Sequence, residues 1–172
     1  MKSQRAPKFP RAVRGALHWA DAAVLLAVGF VVLLVSLPRL REFAVRENES
    51  DARALITRLG ELAAQGPPPR TLAETLERAP VLSQRLEDVT WIEQGTLLRR
   101  HGYLFELVSD GAGARISAWP WEHRRTGCSA FRWSPAGVEM HPNLDGGWSG
   151  PGRRPSDASG ADSSASWRAL EP

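Results

Sequence analysis

Some residue types and motifs that functional sites commonly use are scarce in this sequence, and their scarcity limits the functions it can have. It has one cysteine, Cys128, in 172 residues. A lone thiol cannot close an internal disulfide, so a domain outside the cytoplasm must be held together by packing alone. His101, His123 and His141 lie in the same half of the chain as Cys128, without the paired spacings of metal sites such as C-x-x-C or H-x-x-x-H. The sequence therefore predicts no metal site.

Signatures of catalysis are also lacking. No local pattern marks Cys128 as a nucleophile paired with a histidine. The sequence GAGA, residues 111–114, lacks the strand–helix context of a phosphate-binding loop. We therefore expect a protein that is not an enzyme and needs no cofactor, and a membrane-tethered enzyme is the least favoured hypothesis.

Acidic residues are absent from residues 1–16, although this stretch carries five basic ones: Lys2, Arg5, Lys8, Arg11 and Arg14. A basic start before an apolar run is typical of membrane targeting. Farther along, basic residues are interleaved with acids, so no phosphate-binding stripe forms. The sequence therefore predicts a membrane, and not nucleic acid, as a partner.

The apolar run is LHWADAAVLLAVGFVVLLVSLP, residues 17–38, with no charge from Ala22 to Leu37. Trp19 to Leu37 would form roughly 28 Å of helix at about 1.5 Å per residue, close to a hydrocarbon core of about 30 Å. A cleavable signal peptide has a shorter apolar region and a small-x-small cleavage site, whereas this run ends in SLPRLREF. The segment is therefore predicted to be a transmembrane anchor.

Basic residues near the two ends of this segment indicate its orientation. Five precede it, and the four that follow closely are diluted by four acids: Arg39, Arg41, Arg46 and Arg53 among Glu42, Glu47, Glu49 and Asp51. We expect a single-pass protein of the cytoplasmic (inner) membrane with its N-terminus in the cytoplasm and its remaining bulk periplasmic or extracellular.

Asp21 is the one charge inside the apolar segment, and two explanations remain open. In the first, Asp21 lies at the membrane interface and caps the helix start, where a negative charge suits the helix dipole. Alternatively it pairs with a positive group of another chain, because a carboxylate deeper in a bilayer costs about 2.5–3.5 kcal/mol on insertion scales.

The spacing of Asp21 and Pro38 after a basic leader resembles that of a type IV pilin or a type II secretion pseudopilin. In that family a prepilin peptidase removes the leader, an acid follows the new N-terminus by four residues, and a proline closes the apolar run. Counting back from Pro38 places the first mature residue at Leu17 and the cleavage-site position at Ala16. This chain has alanine for glycine before the bond, leucine for phenylalanine after it, and aspartate for glutamate.

The resemblance implies a division of the chain and a role for its acid. Residues 1–16 would be the cytoplasmic leader, 17–38 the transmembrane helix, 39–65 its amphipathic continuation and 66–142 a small head domain. Cleavage at Ala16–Leu17 would free an amine, largely protonated at neutral pH. That amine would meet Asp21 of a neighbouring subunit and set the register of assembly.

Beyond Pro38, which should end or kink the helix, an apolar stripe recurs at helical spacing: Ala52, Leu55, Ile56, Leu59, Leu62 and Ala63. We expect it to pack on the domain's own sheet more readily than on a partner. RENESD, residues 46–51, is interpreted as a solvated turn of the same helix. TLAETLERA, residues 71–79, predicts a short helix with a capping box, and VLSQRLEDVTWI another helical turn.

The pattern changes to period two after Thr96. GYLFELV places Tyr103, Phe105 and Leu107 on one face of a strand. ARISAWPW, CSAFRW and GVEMH would add strands, which gives three or four antiparallel ones. The predicted fold class is thus α+β: a long N-terminal helix, transmembrane then amphipathic, packed on a small antiparallel sheet.

Two features of the head are left open by the sequence. Trp119, Trp121 and Trp133 either fill the core or form a surface platform for a glycan or protein partner. Residues 143–172 are rich in Gly, Ser, Asp and Pro and are predicted to form a disordered tail. Three residues there, Trp148, Trp167 and Leu170, are exceptions that could dock on the head.

Two functions fit these expectations best. The favoured one is a pilin-like or pseudopilin-like structural subunit of the bacterial envelope, which assembles with similar subunits in a protein secretion or pilus-type apparatus. The alternative is a stand-alone bitopic membrane protein whose extracytoplasmic head binds another envelope protein or a glycan.

Overall fold

The computed structural model describes residues 19–86, 88–110, 113–155 and 167–170. The chain divides into two compact units, Met1–Arg39 and Leu40–Pro172. Three α-helices precede the sheet in the order α1 (Trp19–Ala63), α2 (Leu72–Glu77) and α3 (Pro80–Arg85).

Helix α1 is 45 residues long and continues without a break through Pro38. The expectation that Pro38 ends the helix is therefore wrong, and a kink there stays a prediction. A proline removes one backbone donor from the helix ladder, a loss that neighbouring polar groups and local adjustment can absorb. Two residues before Pro38, the Ser36 hydroxyl donates to the Val32 carbonyl at 2.7 Å. The predicted amphipathic continuation ends within two residues of the observed helix end.

A seven-stranded antiparallel sheet follows the helices, in the same order as the sequence: β1 (Thr90–Ile92), β2 (Leu97–Arg100), β3 (Tyr103–Asp110), β4 (Gly113–Pro120), β5 (Ala130–Ser134), β6 (Gly137–His141) and β7 (Arg168–Ala169). A short 3₁₀ helix, Glu93–Gly95, joins the first two strands. The α+β prediction is confirmed. The predicted number of strands was too low, because β1, β2 and β7 are too short to show an alternating pattern.

The short helices largely follow their sequence signals. The Thr71 hydroxyl accepts the Glu74 N–H at 3.1 Å, which caps α2 as the capping box predicts. VLSQRLEDVTWI, by contrast, is helical only in its first part, α3. Its final three residues, Thr90–Ile92, pair with β2 as the first strand.

One face of the sheet packs against the second half of α1. The stripe predicted from the sequence is buried except for the half-buried Leu62, and it shares one hydrophobic core with Tyr103, Phe105 and Trp133. Gly60 lies against the Trp133 ring so closely that a Cβ there would sit 2.2 Å from ring atoms. The helix can therefore approach the sheet at this point only because residue 60 has no side chain.

The other face of the sheet has its own smaller core. Side chains alternate between faces along a strand, so Leu104 points away from the α1 side while its neighbours Tyr103 and Phe105 point toward it. Leu97, Trp119 and Ala130 join Leu104 in this second cluster. Its half-buried cover consists of Ile92, Trp121, Trp148 and Trp167.

The head extends past residue 142 because later residues help to cover this second core. Asn143 is fully buried; its side chain donates to the Trp148 carbonyl at 2.8 Å and accepts the Trp148 N–H at 3.1 Å. The Trp119 indole donates to the Gly150 carbonyl at 2.8 Å. The disordered-tail prediction is therefore corrected for residues 143–155 and for 167–170, which are ordered on the head. Residues 156–166, 171 and 172 lie outside the described residues.

We predict that Gly60→Ala destabilises the head. The added Cβ must displace the rigid Trp133 ring, and overpacking of this kind costs about 1–3 kcal/mol, less up to about 1 kcal/mol gained in helix propensity. The measurement is the free energy of unfolding of the detergent-solubilised protein in urea. Gly29→Ala is the control, because among the described residues no atom outside the adjacent helix backbone lies within 4 Å of a Cβ built there. Equal stabilities for the two variants would contradict this packing.

Candidate functional site

The first part of α1 exposes apolar side chains along its length. Its most apolar window has a mean hydropathy of 2.4, and none of that window is buried against described residues. Exposed fractions of the large apolar side chains run from 45% at Leu37 to 92% at Trp19. Farther along, Leu40 and Phe43 are exposed as well. By length and composition this is the one helix in the described part of the chain that could cross a membrane.

Asp21 lies in the first turn of α1 and is exposed. A carboxylate at that position suits the positive end of the helix dipole. Ala16 and Leu17, where the cleavage site is predicted, lie outside the described residues, as does the remainder of the leader. The pairing of Asp21 with an amine of a second subunit thus stays a prediction.

The second unit fastens its helix to the sheet through polar side chains. The Glu49 carboxylate accepts two backbone N–H groups, those of Cys128 at 2.8 Å and Ser129 at 2.9 Å. One residue earlier, the Asn48 amide donates to the Thr126 carbonyl at 3.0 Å. A carboxylate that accepts two amides forms charge-assisted hydrogen bonds, which are about twice as strong as neutral ones. The loop between β4 and β5 is thereby held against α1.

A second attachment joins α1 to the β2–β3 turn. Asp51 accepts from Arg100 and lies 3.0 Å from the His101 ring nitrogen Nδ1. Arg100 also reaches Asp88, with its Nε 3.0 Å from a carboxylate oxygen, and His101 contacts the same carboxylate. Partial burial opposes ionisation of Asp88, but the hydrogen bonds and charge of Arg100 lower its pKa below the usual value.

These contacts correct the interpretation of residues 46–51 as a solvated turn. Asn48, Glu49 and Asp51 are half-buried and bound to loops of the head. The signal was present in the sequence. Each of the three lies three or four positions before Ala52 or Leu55, so the buried stripe of α1 continues for one more turn with polar residues.

The histidines and the cysteine each have their own surroundings. His101 belongs to the ion-paired turn, and His141 is buried beside Trp148 with ring centroids 4.5 Å apart. Burial, and then the charge of Glu49, raises the pKa of the Cys128 thiol, which keeps it in its less reactive neutral form. Among the described residues no group of three or more His, Cys, Asp and Glu side chains could hold a metal ion.

His123 has an unusual environment. Both ring nitrogens are shielded from solvent, and neither has a hydrogen-bond partner among the described residues. The ring lies so close to Gly146 that a Cβ there would be 2.8 Å from it. Burial, followed by the positive charge of Arg124, lowers the pKa of His123, while Asp145 acts in the opposite direction.

The three tryptophans considered as a surface platform do not form one. Trp119 is fully buried in the second core, and Trp133 is 7% exposed under α1. Trp121 is half-buried, and the Arg99 guanidinium lies 4.2 Å from its ring centroid. The platform alternative is therefore wrong for Trp119 and Trp133, because a small domain without disulfides uses its largest side chains for its cores.

An open groove of about 300 Å³ lies between the end of α1 and α3. Leu62, Val81 and Leu82 supply its apolar lining, and Arg58 and Glu61 lie at its border. Val81 is 65% exposed. This partly apolar groove on the head surface offers a place for a partner.

Comparison with known proteins gave no match: no family model, no curated protein and no solved structure matches this chain.

We predict that Glu49→Ala destabilises the head far more than Glu47→Ala. Removal of the Glu49 carboxylate leaves the Cys128 and Ser129 N–H groups without their acceptor, which costs about 1–3 kcal/mol. Glu47 is exposed two positions earlier and serves as the matched control. Urea unfolding followed by tryptophan fluorescence measures both. A Glu49→Ala protein as stable as Glu47→Ala would rule out this attachment.

We predict a loss of stability on acidification that depends on His123. Because its pKa is lowered in the folded protein, the neutral ring stabilises the fold above the unfolded-state pKa of about 6.5. This contribution disappears as the pH falls from about 6.5 through the folded pKa.

His123→Gln should flatten the dependence of unfolding free energy on pH in that window. A comparison at pH 8, where histidine is neutral in both states, gives the packing cost of the substitution alone. Identical slopes for the wild type and His123→Gln below pH 6.5 would contradict the prediction.

Proposed function

We propose that the protein is a pilin-like or pseudopilin-like membrane subunit, which assembles with similar subunits through the first part of α1. The observation that carries the proposal is one uninterrupted helix, Trp19–Ala63, with two kinds of surface. Its first part exposes apolar side chains throughout, and its second part is buried along one stripe under an antiparallel sheet. A subunit held by its helix in a bilayer or a helical bundle needs this arrangement.

The placement of charges supports assembly as well as anchoring. Asp21 is the only charge between Trp19 and Leu37, and it lies at the start of the helix. A charge in an apolar bundle is tolerated when it is paired and penalised when it is not. The amine on Leu17 of a neighbouring subunit would be the ionic partner of Asp21. The two groups would meet in only one register of the two helices.

The proposed topology puts the N-terminus in the cytoplasm and the head outside it. The five basic residues of the leader favour a cytoplasmic N-terminus. Because Cys128 is the single cysteine, a head outside the cytoplasm would be held together by packing alone. A membrane-impermeant maleimide should label Ala136→Cys, in the exposed β5–β6 turn, on intact cells.

A second function is favoured by the groove between α1 and α3. If the protein does not assemble through α1, it is a stand-alone bitopic protein whose head binds an envelope partner. The half-apolar lining around Leu62 and Val81 suits a short segment of protein more than a glycan, because glycan sites rely on polar groups and exposed aromatic rings.

We predict that the protein extracted from its native membrane begins at Leu17. A prepilin peptidase would have to cut the Ala16–Leu17 bond to provide the amine for Asp21. Intact mass spectrometry of the purified chain shows whether the mass of residues 1–16 has been lost. An Ala16→Gly variant, which restores the glycine of the related cleavage site, should be processed at least as completely. A chain that retains Met1–Ala16 in both forms would favour the stand-alone alternative.

We predict that Asp21→Leu abolishes ordered assembly while membrane insertion is retained. Leucine preserves the apolar character of the helix but removes the charge that selects register. Cross-linking between helices in the membrane, with single cysteines introduced in a Cys128→Ser background, reports the assembly. Asp21→Glu keeps the charge and is the matched control. Equal cross-linking in all three proteins would refute the role of Asp21.

A further inference from the structure

The last described strand, β7, is held at the edge of the sheet by few backbone contacts. Glu139 pairs with Ala169 and Met140 with Arg168, whereas β3 and β4 pair along their full lengths. Arg168 and Ala169 are both exposed. The side chains that flank β7 therefore carry most of its attachment.

Trp167 occupies a pocket that other parts of the head build. Its ring stacks on Trp148 with centroids 5.4 Å apart and lies 5.5 Å from the His141 ring. The Arg132 guanidinium lies 4.3 Å from the Trp167 ring centroid, and Glu139 holds that guanidinium through contacts of 2.7 and 3.0 Å. An indole over a guanidinium gains cation–π attraction as well as apolar burial. None of these pocket residues belongs to β7.

Leu170 provides the second attachment, three residues after Trp167. Its N–H donates to the Val138 carbonyl at 2.9 Å, and its side chain packs against the main hydrophobic core. The edge of β6 thus receives an extended segment with tryptophan at one position and leucine three positions later. This is the arrangement of strand addition, in which main-chain hydrogen bonds supply affinity and side-chain pockets supply specificity.

The length of the covalent connection would let this segment bind away from its own head. Residues 156–166 separate it in sequence from Pro155, and they include no hydrophobic side chain larger than alanine. Eleven residues can span up to about 40 Å when extended. The same segment can therefore reach the sheet edge of a neighbouring head as well as its own.

We propose that the β6 edge, with Arg132, His141 and Trp148, is a binding site for an extended Trp-x-x-Leu segment, and that in the membrane it takes Trp167–Leu170 of a second copy of this chain. Every copy carries both the site and its ligand, so exchange preserves all the contacts. Anchoring in one membrane raises the local concentration of neighbouring heads and favours exchange. The inference rests on the proposed function only for that anchoring.

Exchange between copies can be trapped by a disulfide across the β6–β7 pair. Two full-length chains with different tags are co-expressed in a Cys128→Ser background, one with Met140→Cys and the other with Arg168→Cys. Paired Cα atoms in antiparallel strands are about 4.5–5.5 Å apart, within the range of a disulfide. Oxidation in the membrane should give a covalent heterodimer, and Trp167→Ala on the Arg168→Cys chain should reduce it at least tenfold.

Controls decide between exchange and binding within one chain. Thr90→Cys on the opposite edge strand, paired with Arg168→Cys, reports random collision. A single chain with both Met140→Cys and Arg168→Cys reports pairing in cis. Heterodimer no more abundant than the collision control would overturn the proposal, whether or not the doubly substituted chain closes on itself.

A binding measurement covers the case in which a cysteine variant fails to fold. A fluorescent peptide Trp-Arg-Ala-Leu is titrated into the full-length Trp167→Ala protein, in which the pocket has lost its own indole. We expect affinity at least tenfold greater than for Ala-Arg-Ala-Leu, and equal affinities would overturn the site. Heterodimer that persists in an Asp21→Leu background would separate this exchange from assembly through α1, and each can fail without the other.

Discussion

Everything in the head depends on the burial of one face of α1 against the sheet. The contact is closest where Gly60 lies on the Trp133 ring, and from there Ile56 and Leu59 are buried completely. Fully burying an aliphatic side chain contributes about 1.5–3 kcal/mol. Without a disulfide, this helix–sheet contact is the principal source of stability for the sheet that follows it.

Polar residues form the N-terminal boundary of that buried face of α1. Glu49 and Asp51 bind the β4–β5 loop and the β2–β3 turn, so two loops far apart in sequence are held to one helical turn. Before this turn, Phe43 and Leu40 are exposed. The helix surface therefore changes from apolar and uncovered to polar and attached, and then to apolar and buried. A helix that leaves a membrane and enters a folded head would require that order.

The second face of the sheet is covered in a different way. Leu104 and Trp119 are fully buried there, although none of the helices in the described part of the chain belongs to their cluster. The segment after β6 does so instead, fixed by the Asn143–Trp148 hydrogen bonds and by the Trp119 indole. This cover is a polar, glycine-rich segment with few apolar side chains of its own. It holds because a few tryptophans reach across the sheet, and the exchangeable contact at β7 is of the same kind.

The sequence by itself determined the elements whose patterns are long and regular. The uncharged run to Leu37, the stripe from Ala52 to Ala63 and the alternation in GYLFELV predict a long helix on an antiparallel sheet, because helical and strand periods are local properties of the chain. Tertiary structure alone decided which polar residues are buried, as at Glu49, and which tryptophans form cores. It also decided that Asn143 and Trp148 cover a sheet face. Such roles depend on partners that are distant in sequence, from 31 residues away for Trp119 and Gly150 to 80 for Glu49 and Ser129, and no local period encodes them.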